Sequence, residues 1–457
     1  MNSLNRLGSK SLILLVGALI LCVLAGKGIS STRPTIVLLV TAASVIFIAS
    51  FLSTEVALYI LIFSMLLGPE IIVGKLGEGG MLGRGVTLHL DDFLLVIIGF
   101  SWLIRSAIYK ELGLFLRTPL NVPILLYVLS CVISTGWGMM AGRVKFSGGF
   151  FFVLKYIEYF IIYFMVINHI HTLRQAKRFV FCALLTCFLV SLYGIYQIPL
   201  GERVSAPFEG EVGEPNTFGG YLVFMLAISS GLFLNEETSR YKRMLGILIL
   251  ISFISLIYTL SRASYLAFIS MYFSLLIYNQ RKRLLLMVLC VAVVLSPFIL
   301  PSVLKKRVLY TFTQPPQHGQ VKIGGVRLDT STSARMRAWR YSFKDFLKRP
   351  LLGYGVTGYH FMDAQFPRTM MESGLIGIVA FLNLLYSIFR LAYHRLKESM
   401  DPYSKGLIVG YLSGFIALIF HSIGANTFTI VRIMEPFWLF TGIMVVLPHL
   451  RAEVERQ

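Results

Sequence analysis

Apolar runs of about twenty residues recur along the whole chain, and a run of that length is what a helix needs to cross the hydrocarbon core of a bilayer. Fourteen can be placed, at approximately 11–27, 35–52, 54–74, 91–108, 120–141, 148–168, 177–198, 216–235, 243–260, 263–279, 283–301, 367–393, 405–423 and 432–449. In lipid every backbone N–H and C=O must be paired inside its own segment, so each run is expected to be a helix. The expected fold is an all-α polytopic membrane protein of about 12–14 transmembrane helices with one large external loop. Composition agrees: 56% of the 457 residues are hydrophobic and 14% are charged, whereas about a quarter are charged in soluble domains.

The formal net charge of +20 would suit a nucleic-acid binder, but the basic residues lie in short clusters between apolar runs. That arrangement sets membrane orientation, and it excludes nucleic acid as the expected partner. Arg105/Lys110/Arg117, Arg174/Lys177/Arg178, Arg240/Lys242/Arg243, Arg281/Lys282/Arg283 and His394/Arg395/Lys397/Lys405 occupy alternate loops. The positive-inside bias puts all five clusters, and both termini, in the cytoplasm. The intervening loops fall outside, including 201–215 with Glu202, Glu209, Glu211 and Glu214. Lys27, Arg33, Arg143 and Lys145 are exceptions, basic residues on the outer side. The first 27 residues resemble a signal peptide, with Arg6 and Lys10 ahead of Ser11–Gly26. So many spans follow that a first transmembrane helix is the better reading. Cys22, Cys131, Cys182, Cys187 and Cys290 all lie in apolar segments without CxxC spacing, as small buried hydrophobes do.

One connection is long, from Pro301 to about Phe366, and lies outside by parity. Between Ser302 and Met362 it carries eleven Lys/Arg and two Asp. Attraction to anionic headgroups could explain such charge; so could a site for an anionic substrate such as a polyprenyl pyrophosphate. Within the loop, Ser333–Lys348 reads as an amphipathic helix, with Met336, Trp339, Phe343, Phe346 and Leu347 at spacings of mostly three and four. Ser331, Thr332 or Ser333 can cap it, and Pro350 ends it. Arg337, Arg340, Lys344 and Lys348 share its polar face, and Arg335 flanks the apolar stripe.

Four places could carry chemistry. Arg262 follows the apolar run Ile247–Leu260 and precedes another, at the outer end of two spans. An arginine there either snorkels to the interface or faces a functional cavity. Asp363 and Glu372 bracket the start of the twelfth span, and a carboxylate at an interface can accept a proton from a sugar hydroxyl. Asp363 could equally be an ordinary solvated loop residue, and His360 is a rival base. Lys155 and Glu158, three apart in the sixth span, are close enough to pair. Gly353-Tyr-Gly355-Val-Thr-Gly358 matches GxGxxG in letters, but no strand precedes it and no βαβ unit surrounds it, so it reads as a tight loop. HExxH, Walker A and CxxC motifs are absent from the sequence, which suggests neither metal nor cofactor.

From about Ile247 to Arg390 the chain resembles the O-antigen ligase/polymerase family, the Wzy- and WaaL-type membrane glycosyltransferases. Thr259-Leu-Ser-Arg262 is the first block. Ser333-Ala-Arg335-Met-Arg-Ala-Trp339 with Pro350-Leu-Leu-Gly353-Tyr-Gly355 is the second. Asp363-Ala-Gln-Phe-Pro-Arg-Thr-Met-Met-Glu372-Ser-Gly374-Leu-Ile-Gly377 is the third, and Arg203…Pro207 with Glu214-Pro215-Asn216 is similar to an upstream stretch of the family. The resemblance implies a GT-C-like fold in a bacterial inner membrane, with the active site at the outer leaflet. It implies a donor, and for polymerases an acceptor, that are glycans on undecaprenyl pyrophosphate. By this match Arg262 and Arg335 would hold the pyrophosphate, with Arg203 assisting; Asp363 or His360 would be the base, and Arg337, His360 and Glu372 are further substrate-binding candidates from the residues themselves. Asp363 stands where ligases of the family usually have histidine, which favours a repeat-unit polymerase. Ala364, Phe366 and Pro367 also depart from the pattern.

The resulting organisation is 1–235 as N-terminal transmembrane helices, 236–400 as the catalytic region with its loop 302–366, and 401–457 as C-terminal transmembrane helices. The expected activity is metal-independent, inverting polymerisation of lipid-linked repeat units for O-antigen, capsule or exopolysaccharide. The alternatives are ligation onto lipid A-core or protein, and a transporter or flippase. A carrier usually places ionisable residues in broken helices at mid-membrane, whereas here they gather at one face. Membrane lipids, a chain-length regulator and a flippase are the other expected partners.

Overall fold

The computed structural model describes residues 34–454 except 69, 73–86, 109–116, 202, 209–212, 300, 316, 318–319, 324–325 and 399–400. The expected span 11–27, and Glu202, Glu209 and Glu211 in the 201–215 loop, lie outside the described residues. The rest is helix after helix: α1 (Pro34–Leu52), α2 (Thr54–Leu67), α3 (Leu90–Ile108), α4 (Asn121–Met140), α5 (Phe146–His169), α6 (Leu173–Gln197), α7 (Pro215–Asn235) and α8 (Ser239–Tyr258). The series continues with α9 (Arg262–Tyr278), α10 (Lys282–Ile299), α11 (Ser302–Thr313), α12 (Thr330–Phe346), α13 (Gln365–Glu398), α14 (Pro402–His421) and α15 (Val431–Val454). Two small antiparallel hairpins interrupt it, β1 (Glu70–Ile72) with β2 (Thr87–His89), and β3 (Lys322–Ile323) with β4 (Val326–Arg327).

Among the described residues eight helices (α4 to α8 and α13 to α15) are long and apolar enough to cross a membrane, and the chain is a multi-pass membrane protein. The apolar runs became helices because a helix alone satisfies its backbone in hydrocarbon. Their packing then sorts them. The centre is α7, α14 and α15, where Phe224, Tyr411, Phe415 and Phe437 are fully buried and the Tyr411 and Phe437 rings stack at 5.6 Å. α7 and α14 approach so closely that a Cβ on Gly231 would lie 2.4 Å from the Gly406 carbonyl oxygen, the small-residue crossing that membrane helices use. On the periphery Val132 of α4, Leu250 of α8, Val294 and Phe298 of α10 and Tyr386 of α13 are exposed, which suits a protein whose outer solvent is lipid.

Two local expectations need correction, and one charged pair gains a partner from another helix. The third span was read as 54–74, but α2 stops at Leu67, where Gly68 turns the chain toward β1. Lys155 pairs with Asp92 of α3, at 2.9 Å, because helix packing brings that carboxylate to the same buried face. The twelfth span is two helical pieces: Gly374 breaks α13 with φ 66°, ψ −161°. That break follows from a close approach, since a Cβ on Gly374 would lie 2.3 Å from the Leu351 carbonyl oxygen. The 350–358 loop packs on the kink through Tyr354 N–H to Met371 O and Gly355 N–H to Glu372 O, both 2.9 Å.

Polar contacts mark the two ends of the bundle. At one, Gln175 donates to Glu55 (3.1 Å), Arg178 stands 3.9 Å from Glu55, and Lys177 lies over the Tyr403 ring. The other end holds the α8–α9 break, the long loop and the start of α13.

Candidate functional site

The turn between α8 and α9 is tight: Leu260 takes a positive φ of 50°, and Ser261 caps α9 by accepting from Ser264 N–H at 3.3 Å. Arg262 is therefore the first residue of α9, its side chain one-fifth exposed. Arg203 stabilises this turn. Its Nε donates to Thr259 O (3.1 Å) and its Nη2 to Leu260 O (3.4 Å), so its charge sits on the carbonyls just past the end of α8, where a helix end favours a cation. Arg203 thus joins the site beside Arg262, as a brace on the backbone.

Arg262 reaches Asp329 in an ion pair. Asp329 is nearly buried and caps α12, accepting from Thr332 N–H at 2.8 Å. The cap was expected at Ser331, Thr332 or Ser333. Ser333 is instead turned back to the β3–β4 hairpin, where its hydroxyl accepts from Val321 N–H (2.9 Å) and donates to Leu328 O (3.2 Å). Burial alone would push the Asp329 carboxyl up, but hydrogen bonds from Thr332 and the Arg262 guanidinium outweigh it and hold the group below its ordinary value.

From that cap α12 runs over the end of the bundle. Met336, Trp339, Phe343 and Leu347 form an exposed apolar stripe, while Ser342 is buried and its hydroxyl lies 3.1 Å from the Met362 sulfur. Arg335 and Ser342, seven residues apart, share one face, and Arg337 lies about 200° round the helix from Arg335, on the other. The structure thus brings Arg335 to the site and separates Arg337 from it.

Arg335 Nη2 stands 3.3 Å from Asp363 Oδ2. Gly424 is a shared neighbour, since a Cβ there would lie 3.7 Å from Arg335 Nε and 3.3 Å from Ala263 Cβ, next to Arg262. The two arginines therefore gather at one rim. Arg335 Nε is buried with no hydrogen-bond acceptor among the described residues. Asp363 is 45% exposed against 3% for Asp329, so the two carboxylates beside the arginines differ in access. The backbone on both sides of Asp363 is fixed: Asn426 donates to Met362 O (2.8 Å), and Gln365 N–H donates to Ser422 O (3.1 Å). Such anchoring holds a reactive side chain at one place.

His360 is exposed, three residues before Asp363, with its ring 4.0 Å from that of Tyr359. Glu372 is set apart from the rim. Its carboxylate accepts from Arg368 Nε and from the Tyr156 hydroxyl, both at 2.9 Å, inside the bundle. Sequence reasoning missed Asp329 and a buried chain in which Ser264 joins His421 Nε2 (3.2 Å) and His421 Nδ1 joins Thr427 (2.8 Å). This chain holds the first turn of α9 to the end of α14. The Asp329 cap has a local signal, an N-cap residue type four residues before Ser333, where the helix is expected to start; the His421 chain has none.

Two arginines at one rim suit an anion with paired oxygens, because the guanidinium fork matches that geometry. An accessible carboxylate beside them can take a proton. Residues 246–382 match the family model described as O-antigen ligase. No curated protein matches the chain. The matched segment holds Arg262, Asp329, Arg335 and Asp363, and the match supports the O-antigen ligase/polymerase family. Arg203 and His421 lie outside it.

Proposed function

We propose that this membrane protein of the O-antigen ligase/polymerase group polymerises oligosaccharide repeat units carried on undecaprenyl pyrophosphate, at the periplasmic face of a bacterial inner membrane. The observation that carries the reading is the Arg335–Asp363 pair, a part-exposed carboxylate 3.3 Å from a guanidinium, beside the turn that presents Arg262. An acceptor sugar hydroxyl attacks the anomeric carbon of the donor and gives its proton to Asp363. The bond from that carbon to the pyrophosphate oxygen breaks, and its electron pair leaves with the phosphate. Arg262 and Arg335 offset the charge that develops there, the kind of fixed electrostatic stabilisation that dominates many enzymes. This is a single displacement, so it inverts the anomeric centre, and the guanidinium charge serves where a divalent metal otherwise would. His360 is the second candidate for the base, from its place three residues before Asp363.

Transfer of a finished glycan to lipid A-core is the second reading, favoured by the ligase description of the matched family. The test is purified protein in vesicles, given undecaprenyl-pyrophosphate-linked repeat units with and without lipid A-core. A ladder of products from repeat units alone supports the polymerase. Product only on lipid A-core supports the ligase. Absence of any new glycosidic bond with both would remove the enzyme reading.

A further inference from the structure

The outward-lying Arg143 is one of the residues that the positive-inside pattern leaves unexplained. It sits in the α4–α5 connection, its amide donating to Gly138 O at 2.9 Å. That connection packs on the 350–358 loop: a Cβ on Gly138 would lie 2.7 Å from the Tyr354 carbonyl oxygen, and Val144 fills the space beside Gly355 and Gly358. Tyr354 faces a second arginine, with the Arg349 guanidinium 5.5 Å from its ring centroid. Arg143 Nε and Nη2 are buried without an acceptor, and neither Arg143 nor Arg349 forms an ion pair among the described residues. The nearby Asp345 carboxylate is already taken by Lys348, at 2.7 Å, and by the Tyr359 hydroxyl.

Two neighbouring cations repel, and such a pair is stabilised when an anion lies between them and takes the donors that Arg143 leaves unfilled. Burial, then the charge of Arg349, push the Arg143 guanidinium below its ordinary value, while Tyr354 opposes. The 350–363 segment packs against the connection that carries Arg143 at one end and reaches Arg335 through Asp363 at the other, so this cluster and the candidate catalytic rim flank one stretch of chain. A polymerase needs two pyrophosphates at the membrane surface, one leaving with the donor carrier and one retained by the acceptor.

We propose that Arg143 and Arg349 form a second anion site, which binds the pyrophosphate of the acceptor lipid while Arg262 and Arg335 bind that of the donor. The inference rests on the polymerase reading. An anionic phospholipid headgroup presents the same phosphate chemistry, and the test separates the two.

Full-length protein in neutral detergent is titrated with undecaprenyl pyrophosphate, and native mass spectrometry counts the bound molecules. Two are expected for the wild type, one for Arg349→Gln and one for Arg335→Gln. A tenfold excess of phosphatidylglycerol is expected to displace neither. Arg349 is exposed, so its replacement leaves the fold intact, and Arg349→Lys is the check, with binding partly restored. In turnover, Arg349→Gln is expected to raise the acceptor KM about tenfold or more, as loss of a charged hydrogen bond does, with the donor KM unchanged. Two bound molecules in Arg349→Gln would overturn the site, as would displacement by phosphatidylglycerol of the molecule that Arg349→Gln loses. One molecule in the wild type, lost in Arg335→Gln alone, also overturns it and leaves the donor site standing. No binding to the wild type removes the polymerase reading itself.

Discussion

The ion pair between Arg262 and Asp329 ties the first residue of a bundle helix to the cap of the helix in the long loop. One carboxylate thereby sets two things, the direction of the Arg262 guanidinium and the start of α12, which carries Arg335 six residues on. Asp329→Ala removes both, and loss of the cap alone costs about 0.5–2 kcal/mol. Glycan transfer is expected to fall although Asp329 is buried, and α12 to become sensitive to limited proteolysis. Unchanged cleavage and unchanged transfer would show that the pair does not organise the site.

The same pair predicts a pH response. The folded-state carboxyl of Asp329 lies below its ordinary value, so its contribution is complete above the usual carboxylate range near about 4 and is lost as pH falls through the lower folded value. Trp339 of α12 reports docking by fluorescence. The wild type is expected to hold its signal down to pH about 4 and then change, while Asp329→Asn lacks that acid transition. Matching profiles for the two proteins would assign the transition to another group.

Arg335→Lys separates an enzyme from a carrier. It keeps the charge but loses the bidentate fork, a swap that is not conservative at an anion site. Loss of transition-state stabilisation there is expected to slow transfer by roughly 10²–10³. Asp363→Asn is expected to abolish turnover while lipid-linked substrate still binds. Single repeat units should then accumulate on the outer leaflet, whereas a carrier would trap them inside. Normal-length polymer from both variants would remove these residues from the site.

What the sequence made legible follows from range. Hydropathy is a local property that lipid enforces on every segment, so the described spans fall on helices, except for the end of the third span past Leu67 and the break at Gly374 in the twelfth. The three-and-four spacing of Met336, Trp339 and Phe343 likewise placed α12, and Arg262, Arg335 and Asp363 share one rim. Pairings across the fold were not readable. Asp329 is 67 residues from Arg262 in the numbering, and no periodicity links them. Lys155 has a carboxylate three residues on, but its partner Asp92 comes from α3, 63 residues away in the numbering. Glu372 reads as a substrate-binding candidate at the start of the twelfth span, but its partners Arg368 and Tyr156 lie inside the bundle, and the kink at Gly374 beside it depends on the approach of Leu351, which a one-dimensional pattern does not contain.

Orientation is predicted from the alternating basic clusters. A reporter inserted at Gln320, beside the β3–β4 hairpin, is expected to read as periplasmic, and one at Gln280, ahead of Arg281, Lys282 and Arg283, as cytoplasmic. The site residues and that hairpin are joined through Ser333 and Asp329, so the reporter also dates the side on which chemistry occurs. Both insertions reading the same side would mean that the span count is wrong by one.

Glu372 is expected to matter for stability through its partners. It accepts from Arg368 and Tyr156 at 2.9 Å, and Ser134 donates to its backbone carbonyl at 2.6 Å, so α4, α5 and α13 meet at this residue. Arg368 also lies 5.6 Å from the Phe361 ring centroid, two residues before Asp363. Removing one member of a buried pair leaves the other charge unpaired and costs about 3–5 kcal/mol, whereas replacing both with apolar residues of similar volume is often close to neutral. Glu372→Leu is therefore expected to lower the thermal midpoint in detergent markedly, and Arg368→Met/Glu372→Leu to recover most of the loss. Substrate affinity per folded molecule should be little changed in the double variant, since neither side chain reaches the rim. If the double variant is as stable as wild type but binds lipid-linked glycan poorly, Glu372 belongs to the substrate site after all.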